Sequence, residues 1–266
     1  MKNVMKIVET DEQVIERLRI RFDTLEEMTR AVKSGRVRAM IVSGAPGVGK
    51  SFGVEKVLGF HDMFATIAQD SSLKKYEVVK GAIGELGIYK KLYEYRHDRN
   101  VVVFDDCDDV FASERSLNLM KSALDTSKKR LLSWHYDSKQ LREEGIPNSF
   151  EFKGGVIFIT NVDFEHVRSK VMRGHLEALA DRCHYFDLTV HSVRERLLRI
   201  KQVVNDGMLG DIQLTDDEKD AIVEFIIVNQ TKLKTLSLRT VSKVAELATA
   251  MPDKWQSVAK MTLVKG

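Results

Sequence analysis

The glycine-rich stretch 44-GAPGVGKS-51 carries the clearest chemical signal in this sequence. Its glycines let backbone N–H groups turn inward and approach phosphate oxygens closely. Lys50 would then reach the β- and γ-phosphates of a nucleoside triphosphate, and the Ser51 hydroxyl would bind Mg²⁺. We therefore expect ATP, ADP and Mg²⁺ as ligands. The expected nucleotide-binding residues are Gly44, Ala45, Pro46, Gly47, Val48, Gly49, Lys50, Ser51 and Phe52.

A second signal is the acidic run that follows 101-VVVF-104, an apolar segment short enough to be a buried strand. Carboxylates at the end of such a strand emerge at the edge of a parallel sheet where ligands bind. We expect Asp105 to bind the Mg²⁺ and Asp106 to polarise the water that attacks the γ-phosphate. Asp108 and Asp109 are interpreted as a helix N-cap and a solvated charge.

Apolar runs and helical patterns alternate along the first part of the chain, which predicts a parallel sheet covered by helices. The predicted strands are 37–43, 76–79, 101–104 and 156–160. The predicted helices are 11–20, 23–35, one from the glycine-rich stretch through Leu58, 85–96, 113–125 and 165–179. Asp23 is predicted to be the N-cap of the second helix, and Gly35 to lie just past its end.

The pattern changes at about His191, after which only helices are predicted. The predicted helices are 191–205, 215–230, 238–250 and 254–264. We therefore expect an α/β nucleotide-binding domain at 1–189 and a C-terminal α-helical domain at 190–266.

The composition limits which cellular compartment and which classes of partner we expect. The net charge of +3 comes from 42 basic and 39 acidic residues, so any affinity for nucleic acid must arise from a local patch. Cys107 and Cys183 have no metal-ligand spacing, which is typical of a reducing compartment without disulfides or zinc. No apolar stretch approaches membrane-spanning length and no secretion signal is evident, so we expect a cytoplasmic protein with no membrane partner.

Together these segments resemble the AAA+ ATPase family over almost the entire chain. The stretch 44-GAPGVGKS-51 corresponds to its Walker A motif, and 102-VVFDDCDDVF-111 resembles its Walker B segment, with Asp106 where a glutamate is usual. The strand 156-VIFIT-160 runs into Asn161, which matches the sensor-1 residue that contacts the γ-phosphate or the water. The resemblance implies a P-loop NTPase fold, in which a parallel sheet core precedes a C-terminal α-helical lid. The shorter Asp106 side chain implies hydrolysis that is slow or depends on closure of the site.

Two arginines acquire roles from the same resemblance. The segment 177-EALADRCHYFDL-188 resembles the S-R-C segment of clamp-loader-like members, which makes Arg182 an arginine finger that reaches the nucleotide of a neighbouring subunit. Arg173 competes for this role, and a surface ion pair is the alternative for either residue. The segment 236-LSLRTVSKVAEL-247 resembles the sensor-2 helix, with Arg239 pointing back to the nucleotide.

The segment 130–155 is a candidate insertion, because both its ends alternate as strands do. Some AAA+ proteins carry a β-hairpin before sensor 1 and use it on DNA, and Lys139, Arg142 and Lys153 could serve here. The alternative is that these strands extend or cover the sheet edge.

The resemblance implies an ATP-hydrolysing protein that forms nucleotide-dependent rings or helical oligomers of itself and remodels a protein or nucleoprotein partner, DNA included. It looks like the stand-alone phage or bacterial members, with no appended recognition domain, so the host cytoplasm is expected if a phage encodes it. One alternative is an ATP-dependent binding switch with slow turnover, such as a helicase or clamp loader. Another is a small P-loop kinase, against which Asn161, Arg182 and Arg239 all argue.

Overall fold

A computed structural model of the chain describes residues 9–60, 62–70, 73–162, 164, 167 and 169–265. The chain divides into two compact units. The sheet unit comprises Asp23–Gly44 and Lys50–Leu188, and the helical unit comprises Met1–Phe22, Ala45–Gly49 and Thr189–Gly266. The domain limits expected from the sequence, 1–189 and 190–266, stay a prediction. Within the described ranges, no helix is long and apolar enough to cross a membrane.

The strands that the structure describes in the sheet unit form two sheets. The strands are β1 (Ala39–Ser43), β2 (Tyr76–Lys80), β3 (Val101–Asp105), β4 (Leu131–Ser133), β5 (Ser149–Glu151), β6 (Gly155–Thr160) and β7 (His184–Asp187). The larger sheet has the order β2-β3-β6-β1-β7, and all its neighbouring strands are parallel. The parallel sheet and its four predicted strands are confirmed. The fifth strand, β7, was not predicted, because it is short, largely exposed and begins and ends with polar residues.

Of the helices after the first that the structure describes in the sheet unit, the four long ones agree with the sequence, and the three short ones, of four to six residues, were not predicted. In chain order these helices are α2 (Lys50–Gly59), α3 (Met63–Ala68), α4 (Glu85–Glu94), α5 (Asp109–Ala112), α6 (Glu114–Ala123), α7 (Lys139–Glu143) and α8 (Lys170–Ala180). The helix predicted over 165–179 corresponds to α8, and residues 165, 166 and 168 lie outside the described ranges.

The first helix, α1 (Asp11–Lys33), is continuous where the sequence predicted two helices. Asp23 therefore lies inside a helix, and its prediction as an N-cap is wrong. The helix continues because buried apolar residues recur every three or four positions through the expected break. These residues are Val14, Leu18, Phe22 and Leu25. Gly35 follows the helix end with φ of 75°, the left-handed conformation expected there.

The segment between α6 and β6 forms a small antiparallel ribbon. β4 pairs with β5, and α7 lies in the connection between them, so the predicted strand character of both ends is confirmed. Phe150 from this ribbon packs against the rings of Tyr89 and Tyr93 of α4. The Arg130 guanidinium is buried beneath the ribbon and donates to the carbonyls of Ala123 and Gly154, and burial lowers its pKa to about 10. The ribbon is thus joined to the sheet unit by both apolar packing and hydrogen bonds.

The helical unit contains the four predicted C-terminal helices. They are α9 (Val193–Val203), which continues into a π-helical turn over Val204–Met208, α10 (Asp216–Val228), α11 (Leu238–Ala250) and α12 (Trp255–Leu263). Capping boxes begin two of them, with Ser192 and Glu195 at α9 and with Thr215 and Glu218 at α10. The four helices share an apolar cluster that includes Ile200, Ile226, Val241 and Ala259. Tertiary packing of these amphipathic faces holds the unit together.

Gly154, directly before β6, offers a test of this packing. An added Cβ would overlap the carbonyl oxygen of Tyr95 and lie 3.0 Å from the Phe152 ring. Gly154→Ala should therefore lower the free energy of unfolding by about 1–3 kcal/mol, measured by urea denaturation. Gly174→Ala is the matched control, because nothing lies within 4 Å of its added Cβ in α8, and it should raise stability by about 0.5–1 kcal/mol. Equal stability of the two variants would contradict the packing described here.

Candidate functional site

The candidate site lies where three neighbouring strands end. β6 pairs with β1 through Ser43 and Thr160 and with β3 through Asp105 and Ile159. Because parallel strands present their carboxyl ends at one edge of the sheet, the segments that follow these strands begin side by side. The sheet order therefore brings Lys50, Asp105 and Asn161 towards one place, although they are far apart in sequence.

Lys50, Asn161 and Asp106 form a chain of contacts at this edge. The Lys50 ammonium, whose residue is 5% exposed, donates to the Gly44 carbonyl at 2.6 Å and to Asn161 Oδ1 at 2.8 Å. The Asn161 amide in turn donates to Asp106 Oδ1 at 2.8 Å. The residues expected at the Walker A, Walker B and sensor-1 positions are thus joined directly. The arrangement places a cation and an anion on either side of one amide.

Ser51 and Asp105 form the second pair of this edge. The Ser51 hydroxyl donates to Asp105 Oδ1 at 3.0 Å, while Lys80 Nζ lies 3.6 Å from Asp105 Oδ2 and donates to Glu55 at 2.8 Å. Burial raises the pKa of the Asp105 carboxyl, and the hydrogen bond from Ser51 opposes that rise. A buried carboxylate of this kind is stabilised by a nearby positive charge.

The paired oxygens of Ser51 and Asp105 fit the requirements of Mg²⁺. This ion prefers hard oxygen ligands and is bound in nucleotide sites by one or two protein groups together with phosphate oxygens. No cluster of three or more His, Cys, Asp or Glu side chains suited to a metal occurs in the part of the chain that the structure describes. Two oxygen ligands such as those of Ser51 and Asp105 fit a Mg²⁺ ion whose other ligands come from a nucleotide and water.

The backbone after β3 turns sharply at Asp106. Its φ of 52° lies in the left-handed region, and its N–H donates to the Ile159 carbonyl at 3.0 Å. Asp tolerates this conformation better than most residues with a Cβ. The turn places the Asp106 carboxylate against the Asn161 amide while Asp105 stays in the strand.

Asp108 differs from its sequence interpretation. It occupies the N-cap position of α5, but its side chain makes no capping hydrogen bond. Its carboxylate instead accepts from the hydroxyl of Thr160 at 2.8 Å, and that hydroxyl also accepts from the Val162 N–H at 3.0 Å. The end of β6 competes successfully for this carboxylate because Thr160 is fully buried and needs a partner. The Asp109 side chain lies outside what the structure describes.

The glycine-rich loop contacts the start of α11 within the helical unit. The Leu238 N–H donates to the Gly47 carbonyl at 2.9 Å. Gly47 has φ of 74°, and an added Cβ there would lie 2.7 Å from Ser237 Cβ and 3.8 Å from Arg239 Cγ. Arg239, the expected sensor-2 residue, therefore lies beside the loop. A glycine is required at position 47 by both the conformation and the close approach.

The other expected residues have different surroundings. The Arg182 guanidinium donates to the Ala178 carbonyl at 2.6 Å, and Arg173 donates to the Val167 carbonyl at 2.8 Å. No hydrogen bond among the described residues joins either arginine to the carboxylate edge. The Phe52 side chain is 66% exposed. The structure thus groups most of the predicted site but leaves Arg182 apart from it within this chain.

Comparison with known proteins identifies the relatives. The chain is 34% identical over 259 residues to an uncharacterized 36.7 kDa protein from the nrdC–mobD intergenic region of Enterobacteria phage T4. The aligned region covers 96% of this chain and 77% of the T4 protein. The chain belongs to the family of this T4 protein. No protein-family model matches it.

The fold has a solved counterpart in domain III of the replication initiation protein DnaA from Thermotoga maritima. The two share 10% identity with a TM-score of 0.52, and the match covers 93% of this chain and 92% of that one. The chain therefore has the AAA+ P-loop NTPase fold, with a parallel sheet core and a helical C-terminal domain, and the fold class predicted from the sequence is confirmed.

Three residues that lie beside the predicted site residues or the glycine-rich loop were not predicted from the sequence. Lys80 pairs with Asp105 in the strand register, and Thr160 holds Asp108. Arg199 of α9 lies over the Phe22 ring at 3.4 Å, and its Nη2 is 3.7 Å from where a Gly49 Cβ would be. Lys80 and Thr160 end strands next to predicted site residues, which is a usable signal, whereas Arg199 stands in an ordinary helical pattern.

Thr160 allows a test of the bond that fixes the acidic turn. Thr160→Val keeps the shape but removes the hydroxyl, so Asp108 loses a donor and the Val162 N–H loses its acceptor. We expect the free energy of unfolding to fall by about 1–3 kcal/mol in denaturant titrations.

Thr160→Ser is the matched control, because it keeps the hydroxyl and loses one methyl group, at a cost of about 0.8 kcal/mol. If the valine variant were as stable as the parent protein, the hydroxyl would not be holding the turn.

Proposed function

We propose that this protein binds ATP and hydrolyses it to ADP and phosphate in a Mg²⁺-dependent reaction. The observation that carries the proposal is the contact network at one sheet edge, where Lys50, Asn161 and Asp106 are joined and Ser51 meets Asp105. A structural protein has little reason to collect these groups around a lysine that directly follows a loop in which Gly47 and Gly49 have positive φ.

Each side chain has a task that follows from its position. Lys50 exchanges its contacts with Asn161 and the Gly44 carbonyl for β- and γ-phosphate oxygens. Ser51 and Asp105 hold Mg²⁺, which when bound neutralises charge on the phosphates. Asp106 accepts a hydrogen bond from the attacking water, and Asn161 orients Asp106 and the γ-phosphate. Arg239 contacts the nucleotide from the start of α11, beside Gly47.

Assembly is the second part of the proposal. Arg182 lies apart from the carboxylate edge of its own chain, where its guanidinium rests on the Ala178 carbonyl. An arginine in that position is suited to act on the nucleotide of a neighbouring copy, which makes the site part of a subunit interface. Head-to-tail contacts of this kind give rings or helical filaments. We propose such a homo-oligomer, tightened by ATP more than by ADP.

The proposed partner that this ATPase remodels is a nucleoprotein or a protein. Support comes from the structural neighbour, which is named as a replication initiation protein, and the phage relative favours the host cytoplasm as the compartment. An ATP-dependent binding switch with slow turnover is the second candidate. The short carboxylate at Asp106 favours that candidate, because it lies about one methylene further from the water than a glutamate would.

A substitution at Asp106 tests ATP hydrolysis separately from ATP binding. Asp106→Asn should retain ATP affinity and lose most turnover, because the amide keeps the shape but accepts a proton poorly. We expect at least a hundredfold fall in the rate of phosphate release, the usual contribution of a general base. Lys50→Ala is the paired variant, and it should lose ATP binding itself in a calorimetric titration. Unchanged nucleotide affinity of Lys50→Ala would contradict the phosphate-loop assignment.

A mixture of two inactive variants tests whether Arg182 acts between subunits. Arg182→Ala should bind ATP normally but hydrolyse it about 10³–10⁵-fold more slowly, since a finger stabilises the transition state of the neighbouring site. Mixing it with Lys50→Ala should restore part of the phosphate release, because only the mixture pairs an intact loop with an intact finger. No recovery, although both variants co-assemble by mass photometry, would show that Arg182 acts within its own chain or is structural.

A further inference from the structure

A cavity of about 330 Å³ lies between α6 and the first strand of the ribbon. It is lined by residues from α6, among them Arg115 and Asn118, and by the run Trp134, His135 and Tyr136 that follows β4. The lining includes none of the residues proposed to bind ATP or Mg²⁺. Its volume is at the lower end of the range for small-ligand pockets.

The cavity presents flat rings together with a cation. Tyr136 is 54% exposed, its ring is T-shaped to that of Trp134 at 5.7 Å between centroids, and the Arg115 guanidinium lies over it at 5.0 Å. Trp134 is held in place by Tyr89, whose ring lies 5.6 Å away. Exposed aromatic surface beside an arginine is the composition of sites that stack planar ligands.

Trp134, a residue of the lining, carries a hydrogen-bond donor that lacks a described partner. Its indole Nε1 is buried and has no hydrogen-bond partner among the residues that the structure describes. A buried donor left without a partner costs free energy, which an acceptor on a bound ligand would recover. The Asn118 amide, which both donates and accepts, lines the same cavity. The residues of the lining are therefore suited to bind a planar ligand with polar edges.

A basic turn adjoins the cavity. Lys128 and Lys129 are exposed and stand just before Leu131, a 62% exposed residue of the lining. Arg38 fixes the turn, since its guanidinium donates to the carbonyls of Asp125 and Ser127. The adjacent Arg130 does not contribute to this surface, because its guanidinium is buried under the ribbon.

Carboxylates offset only part of this positive charge. Asp137 is paired with Arg142 in the ribbon, and Asp125 accepts from the Thr126 N–H within the turn. Glu114 precedes Arg115 at the start of α6 and is exposed. The balance near the cavity favours an anionic ligand over a cationic one.

We propose that this cavity binds a base of single-stranded nucleic acid, which stacks on Tyr136 while the adjoining phosphates contact Arg115, Lys128 and Lys129. A duplex does not fit this description, because its bases are stacked on one another and cannot enter. In this proposal the ribbon contributes the ring of Tyr136 to nucleic-acid binding, and not the charges of Lys139, Arg142 and Lys153 that the sequence suggested. Lys139, Arg142 and Lys153 each pair with a carboxylate of the ribbon.

The inference rests on the proposed function only in taking nucleic acid as the class of partner. It is tested in a variant that is expected not to hydrolyse ATP. The Lys50→Ala protein is titrated with a fluorescein-labelled 20-nucleotide single-stranded DNA, with the RNA of the same sequence, and with the DNA duplex, and anisotropy is recorded. Trp134 and Trp255 are the two tryptophans. In a Trp255→Phe background the emission therefore reports on Trp134, and a stacked base should quench it.

We expect saturable binding of the single strands with quenching of Trp134, and weaker binding of the duplex. Tyr136→Ala should weaken the affinity by about 5- to 150-fold, the range for one lost base stack, whereas Tyr136→Phe should stay near the parent value. Arg115→Ala should weaken binding and reduce its salt dependence. Arg19→Ala, which removes an equal charge from α1, is the matched control.

Three results would overturn the proposal. The first is an unchanged affinity in Tyr136→Ala. The second is an equal loss in Arg19→Ala and Arg115→Ala, which would mean that charge alone attracts the strand. The third is quenching of Trp134 by an unfolded protein and not by either single strand, which would assign the cavity to a polypeptide. Circular dichroism of each variant establishes that a lost affinity is not a lost fold.

Discussion

Parallel pairing of β6 with β1 on one side and β3 on the other is the constraint on which the candidate site depends. The strands are buried on both faces, so each contributes an uninterrupted apolar run, and the first polar groups appear only where a strand ends. The segments that follow β1, β3 and β6 therefore leave the sheet at one edge, and β6 lies between the other two strands. A register slip of one residue would turn Asp105 to the opposite face of the sheet.

This constraint explains why so much of the site could be predicted from sequence. A buried parallel strand is recognisable as a short apolar run, and a residue directly after it can be assigned to the carboxyl edge without knowledge of the strand order. Lys50, Asp105 and Asn161 each follow such a run closely. The same reasoning failed for β7, whose His184 and Asp187 interrupt the apolar pattern, and for α1, where Asp23 looks like a cap although the apolar period continues through it.

Partners that depend on register could not be predicted. Lys80 meets Asp105 because β2 is the neighbour of β3, and Thr160 meets Asp108 across 52 residues of sequence. Their place at the end of a strand is visible in the sequence, but the sequence does not say which strands are neighbours, so their partners could not be assigned. The surroundings of Arg130 show the same limit in the ribbon, since a residue within the basic run 127-SKKR-130 is buried and saturated by carbonyls while its neighbours are exposed.

The backbone at Asp106 gives a physical reason for the shorter carboxylate at a position where the family resemblance expects glutamate. A left-handed φ is costly for residues with a Cβ, and Asp is among those that tolerate it best, because its short polar side chain bonds to nearby groups. Here that bond comes from Asn161, which also touches Lys50. Any group that draws Lys50 away from Asn161 therefore removes one of the two side-chain hydrogen bonds that the structure describes for this amide. The Lys50 ammonium and the Asp106 carboxylate are in this way linked through one side chain, and the amide of Asn161 can make this link because it both donates and accepts.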